Sequence, residues 1–147
     1  MESFVGSIGL LRDQSSLPVR WLLRKRSRLK SIQAERLEGD SYRDCIQREV
    51  AWTLNLHRDQ DCLVSSHSRL HLSQAIFVPD ESQEVWFEVE FFVVELFTEA
   101  ARQTVANPPD VVWLTGEEVH AGQSKTGLPI CERHRLLMAA ADVIPAW

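Results

Sequence analysis

Cysteine is scarce in this chain of 147 residues: Cys45, Cys62 and Cys131 are three in all, an odd number. So few thiols build no disulfide framework. With no secretory segment ahead of them, they read as reduced cysteines of a cytoplasmic protein. The opening MESFVGSIGLLRD carries Glu2 and lacks a basic stretch followed by a long apolar run, so it is not read as a signal peptide. Long hydrophobic runs are missing throughout. The most apolar stretch, VWFEVEFFVVELF, is interrupted by Glu88, Glu90 and Glu95 and is too short to cross a bilayer as a helix; no membrane partner is expected. Positive charge is not in excess either. A net charge of −5 gives no general attraction to nucleic acid or to anionic lipid. Internal repeats and low-complexity tracts are absent.

What is present is the composition of an ordinary globular protein, 44% hydrophobic and 25% charged, in a length that suits one domain over 1–147. SFVGSIGLL (3–11) and VRWLLRKR (19–26) read as strands separated by the turn-like RDQSSLP. SRLKSIQAERLEGD has no clean period and reads as a loop leading to a helix. That helix is the best-defined element. Asp40 or Ser41 caps its N-terminus, and for Asp40 a cap is read ahead of a site role; Ile46, Val50 and Thr53 or Leu54 follow at helical spacing, and Asn55 is the stop. SRLHLSQAIFV (68–78) and EVWFEVEFFVVELF (84–97) flank the turn-rich PDESQ as a hairpin. Phe87, Val89, Phe91 and Val93 share one face of its second strand; Trp86, Phe92, Val94 and Leu96 share the other with Glu88 and Glu90. VVWL (111–114) is a short strand and TGEEVHAG a short capped helix. LPICERHRLLMAAADVI is a final helix with Ile130, His134, Leu137 and Ala141 on one stripe. Strands and helices alternate, which predicts an α/β fold with a mixed sheet between helices.

Several clusters have the residue types of functional sites. Arg20, Arg24, Lys25, Arg26, Arg28 and Lys30 form the one dense basic segment, suited to phosphate oxygens because guanidinium forks match them; the alternative is a solvated strand end. Trp21 and Trp52 could stack on bases in an RNA-binding reading, although Trp21 reads better as core. His67 and His71 fall on one strand face with Arg69, and Cys131 lies three residues before His134. Neither pair has the four-ligand spacing of a zinc site. GQSKTG (122–127) lacks the spacing of a phosphate-binding loop and reads as a turn.

The stretch GDSYRDCIQREVAWTLNL, with the order of elements around it, resembles the signature of the Nudix hydrolase family. That signature runs Gly, five residues, Glu, seven residues, Arg-Glu, an aliphatic, any residue, Glu-Glu, any residue, Gly and an aliphatic. Placed on Arg48-Glu49-Val50 it begins at Ala34 and ends on Leu56. Arg48, Glu49, Val50 and Leu56 match, and Gly39-Asp40-Ser41 stands where the family has Gly-Glu-Ser. Ala34 replaces the first Gly, Leu37 a common acidic position, Trp52 and Thr53 the paired Glu residues, and Asn55 the late Gly. WLLRKRSR, VVWLTGEEVHAG and GLPICERHRLLM resemble the family's second strand, its late Trp-Leu-Thr segment and its closing helix.

The resemblance implies a Nudix-like α/β/α sandwich. In the family, the two missing glutamates ligate the divalent cations that support hydrolysis. Positions i, i+3 and i+4 share a helix face, so Glu49 could share a metal only with residues 52 and 53, here an indole and a hydroxyl. The resulting expectation is a fold with an eroded metal site. Glu49 is the residual catalytic and metal-ligand position, and Arg48 orients it through a charge-assisted hydrogen bond. Arg24, Arg26, Arg28, Trp52 and Asp40 are the candidate ligand contacts for a nucleotide or other phosphorylated molecule. Trp52 is expected to fill the space left by the metals, with a stacking platform as its alternative. No cofactor is expected; magnesium or manganese would be required if the chain were an active hydrolase of nucleoside diphosphate derivatives, recruiting acids among Asp40, Asp44, Glu88, Glu90, Glu117 and Glu118. Glu117 and Glu118 read first as caps of the helix after Thr115. A structural module that self-assembles as a homo-oligomer is the third reading.

Overall fold

Two long strands, each with a continuous buried run, set the centre of the molecule. The computed structural model describes residues 1–57 and 60–146. Strands β1 (Glu2–Asp13), β2 (Arg20–Lys25), β3 (Leu29–Lys30) and β4 (Ile32–Glu35) precede helix α1 (Tyr42–Leu54). Strands β5 (Cys62–Val64), β6 (Leu70–Val78) and β7 (Gln83–Leu96) follow, then α2 (Glu99–Ala106), β8 (Val111–Thr115), α3 (Gly116–Ala121) and α4 (Glu132–Ala141). β1 and β7 run parallel, Glu2 opposite Val85 through Leu11 opposite Val94. The outer side of β7 takes β6 and then β5, both antiparallel. The outer side of β1 takes β4 and, at Arg12 and Asp13, β2; β2 in turn carries β3 and β8.

The period of two along β7 explains the layers. Val85, Phe87, Val89 and Phe91 point to one side and pack with Leu137, Met138 and Ala141 of α4. Phe92 and Val94 point to the other and pack with Ile46, Val50 and Leu54 of α1. Helices therefore cover both faces of a mixed sheet, the expected α/β/α sandwich. Each fully buried side chain of this size contributes about 2 kcal/mol relative to exposure. Trp21 is core, as its strand position suggested. No disulfide joins the cysteines, and no described helix is long and apolar enough to cross a membrane.

The structure departs from the sequence reading in three places and settles one choice. The segment after β2 is not a loop: Ile32 and Ala34 are buried alternately and zip β4 onto β1. Of the two cap candidates the helix uses Ser41, whose hydroxyl accepts the Asp44 amide at 3.0 Å, while Asp40 pairs elsewhere. α2 was not anticipated; Thr98 caps it through the Ala101 amide, and only Ala101 and Val105, one turn apart, are buried. The final helix starts at Glu132 because the residues before it are drawn into bridges, Ile130 to Leu29 and Pro129 to Gln123. Its stripe is as expected, with Ile130, His134, Leu137 and Ala141 all buried. Asn55 ends α1 in the left-handed conformation, and Leu54 closes its apolar stripe while Thr53 is half-buried.

The close approach of β4 to β1 requires a glycine. A Cβ on Gly6 would lie 2.1 Å from the Ala34 carbonyl oxygen, which is backbone and cannot swing away. Gly6→Ala should destabilise the fold by about 1–3 kcal/mol, read as a lower urea midpoint with an unchanged slope.

Candidate functional site

α1 positions the side chains that the family signature singles out. Its buried stripe, Ile46, Val50 and Leu54, faces the sheet and forces Arg48 and Trp52 outward. Arg48 does not reach Glu49. Its guanidinium donates to both carboxylate oxygens of Asp40, at 3.2 and 2.7 Å, a bidentate pair that braces the loop before the helix. The hydrogen bond from Arg48 holds the Asp40 carboxyl below its usual range, against the opposing effect of burial. The charge-assisted hydrogen bond expected between Arg48 and Glu49 is made instead with Asp40, eight residues away along the chain.

Glu49 is half-buried, and among the described residues its hydrogen-bond partner is Thr53, whose hydroxyl donates at 3.4 Å. Trp52 is 83% exposed, so it does not fill a dry pocket. That expectation fails because position 52 lies on the outer side of α1, where the sheet offers it no wall. None of Asp40, Asp44, Glu88, Glu90, Glu117 and Glu118 is bonded to Glu49. Asp40 is taken by Arg48 and Glu118 closes a capping box with Thr115. Among the described residues, no group of three or more His, Cys, Asp or Glu side chains is arranged to hold a metal ion. Magnesium or manganese, which wants several hard oxygen ligands, does not fit one carboxylate beside a hydroxyl and an indole.

The basic segment is spread out. Arg24 pairs with Asp110 at 3.3 Å and Arg28 with Asp80 at 3.7 Å, while Arg26 is exposed between β2 and β3. Asp80 lies in the turn that enters β7, whereas α1 packs on Phe92 and Val94 near the other end of that strand. Arg28 and Glu49 therefore belong to opposite halves of the sheet. The zinc pairs are not assembled either. Cys131 begins α4, and His134 accepts the Ser31 amide at 3.2 Å. Burial, followed by the nearby Lys30 charge, lowers His134 to about 3, so it is neutral.

One polar cluster was missed. His71 of β6 lies opposite Glu90 of β7, with Nδ1 at 2.7 Å from its carboxylate and Nε2 against Glu88. Ser73 and the Trp86 indole also donate to Glu88. The Tyr42 ring meets the imidazole edge-on, and Arg36 lies over that ring at 4.8 Å. Tyr42, Arg43, His67 and Glu90 line a groove of about 470 Å³ beside the first turn of α1. The sequence did put Glu88 and Glu90 on one strand face, but only the hairpin register sets His71 between them.

Hydrogen bonds that the imidazole donates to Glu90 and then to Glu88 raise the His71 pKa. The sign follows from proton linkage: the pairing stabilises the fold below the ordinary histidine range and is lost as pH rises through the raised value. Imidazole NMR should find a His71 midpoint above the ordinary histidine value, and Glu90→Gln should lower it more than Glu88→Gln. A larger drop with Glu88→Gln would contradict this order.

No protein-family model matches the chain, and no curated protein matches it. Solved structures do. A mutT/nudix family protein from Listeria innocua superposes with a TM-score of 0.58 at 13% identity, covering 94% of this chain and 89% of that one. The Ap4A hydrolase of C. elegans gives 0.53 at 13% identity, covering 82% and 86%. NrtR of Shewanella oneidensis, solved with a 27mer DNA, gives 0.56 at 12% identity; the match covers 92% of this chain but only 58% of NrtR. The likeness is one of fold: this chain has the Nudix architecture.

Proposed function

We propose that the chain is a Nudix-fold binding module that retains a nucleotide-like, phosphorylated ligand with little or no hydrolysis. One observation carries this reading. Of the three positions that share the α1 face, 49, 52 and 53, only Glu49 bears a carboxylate, and its hydrogen-bond partner is the Thr53 hydroxyl. Clamping a pyrophosphate between cations needs enough negative charge to hold the ions and acidify bound water. Even a lost outer-shell partner costs metal sites roughly 10–100-fold. Two missing ligands cost more, and fold alone does not restore them.

Recognition rests on other residues. Trp52 projects from α1 with 83% of its surface free, the form of a stacking platform for a base or another flat group, worth about 1–3 kcal/mol per base. Arg48 and Asp40 keep the N-terminal loop of α1 in place beside it. Arg26 is an exposed guanidinium of the basic hairpin and Arg24 would exchange Asp110 for phosphate oxygens, while Arg28, paired with Asp80 over the other half of the sheet, is left out of the site.

A panel of dinucleotides, nucleotide sugars and nucleoside triphosphates with magnesium or manganese tests both halves. Binders should change tryptophan fluorescence saturably, an effect lost in Trp52→Ala, while products stay at background. Robust turnover that disappears in Glu49→Gln would establish the active hydrolase instead. A second experiment tests the register of the helix: Trp52→Glu combined with Thr53→Glu should create divalent-metal binding visible by calorimetry. A folded double variant with no gain in manganese affinity would sink this assignment of the α1 face.

A further inference from the structure

Strand β6 leaves one edge of the sheet open. Its nine residues, LHLSQAIFV, pair with β7 in unbroken register, Leu70 opposite Phe91 through Val78 opposite Gln83. No bulge interrupts the ladder, and the strand contains no Pro, Lys, Arg, Asp or Glu. Among the described residues no strand pairs with its other side, and no hydrogen bond reaches its outward main-chain groups. Edges of this length are ordinarily blunted by a lysine, a proline, a bulge or a covering element, because bare amides and carbonyls template another strand. β6 has none of these protections.

The strand is firm enough to act as a template. Leu70, Leu72 and Ile76 pack beneath it into the core shared with α4. On its opposite face Ala75 stands across from Trp86, and Phe77 is one step further along. Phe77 is 55% and Trp86 37% exposed, an apolar strip running beside the open edge. His71, the one titratable side chain of β6, is turned onto Glu88 and Glu90.

Charge decides the occupant. A two-fold axis places a strand against its own antiparallel copy, so a charge near the middle of the strand lies close to its own image, a bar to self-pairing. β6 brings no carboxylate, ammonium or guanidinium to that seam. We propose that β6 is a self-association edge: two copies pair β6 with β6, continue the sheet across a two-fold and cover Phe77 and Trp86 beside the seam. This stands apart from the ligand reading and survives its failure.

Light scattering and sedimentation of the full chain, from low micromolar to near-millimolar concentration, should find the mass rising from 16.9 kDa toward twice that value. Deuterium exchange across Leu70–Phe77 should slow over the same range, while exchange in β1 does not. Ala75→Lys, placing two ammonium groups at the seam, should weaken association about tenfold or more, with circular dichroism checking the fold. If that variant does not fold, Phe77→Lys at an exposed position is expected to do the same. A mass of one chain throughout, or a dimer whose β6 exchange is independent of concentration, would overturn the proposal. So would a monomer that slows β6 exchange only on adding an alternating Arg-Val peptide, which would assign the edge to a cationic partner strand.

Discussion

The parallel pairing of β1 with β7 is the constraint on which the rest of the molecule depends. Ten consecutive residue pairs, Glu2–Val85 to Leu11–Val94, join segments about eighty residues apart in the chain. Because β7 is apolar on both faces over its second half, that pairing can be stable only with a layer on each side, α4 on one and α1 on the other. Gly6 and Gly9 of β1 then set how closely β4 and α1 approach: Ala34 lies against the first, and Ile46 and Val50 against the second. The helix that carries the candidate site is held at a fixed height above the sheet by those contacts.

Fixing α1 in this way decides what its outer residues can do. The stripe of Ile46, Val50 and Leu54 is spent on the core, which leaves Arg48 and Trp52 in solvent and Glu49 at the margin. A carboxylate at the margin of a helix draws a cation only if neighbours one turn away add charge. Here those neighbours are neutral, and the bidentate pair of Arg48 with Asp40 consumes the carboxylate that the resemblance set against the family's Gly-Glu-Ser. The same electrostatic economy recurs on β7, where His71 occupies Glu88 and Glu90. Anionic side chains that could have converged on one centre are instead each neutralised locally.

Much of the fold was legible before any coordinates. The strands at 3–11, 19–26, 68–78 and 84–97, the helix ending at Asn55 and the capped helix after Thr115 all carry short-range signals: alternation, helical spacing, an oxygen at a cap. β4 and α2 were not legible. Each is brief, and its stability comes from burial of two residues, Ile32 with Ala34 and Ala101 with Val105, which no local period distinguishes from a loop. For the site, the sequence identified the positions that face one another on α1 but not their partners. Arg48 beside Glu49 in the chain suggested a bond between them; the guanidinium reaches Asp40 because the turn at Gly39 brings that carboxylate back over the first turns of the helix.

By itself, then, the sequence determined the class of fold, the helix that carries Arg48 and Glu49 and the neutral residues at positions 52 and 53 of its face, since these depend on residue type and on spacing within one element. Tertiary structure alone decided that Trp52 is free, that Arg28 and Glu49 stand over opposite halves of the sheet, that His71 sits between two glutamates and that β6 ends the sheet. The reason is physical. A helix or strand reads its own period, but strand register and edge position are set by pairings between distant segments, and a one-residue slip would exchange every such partner.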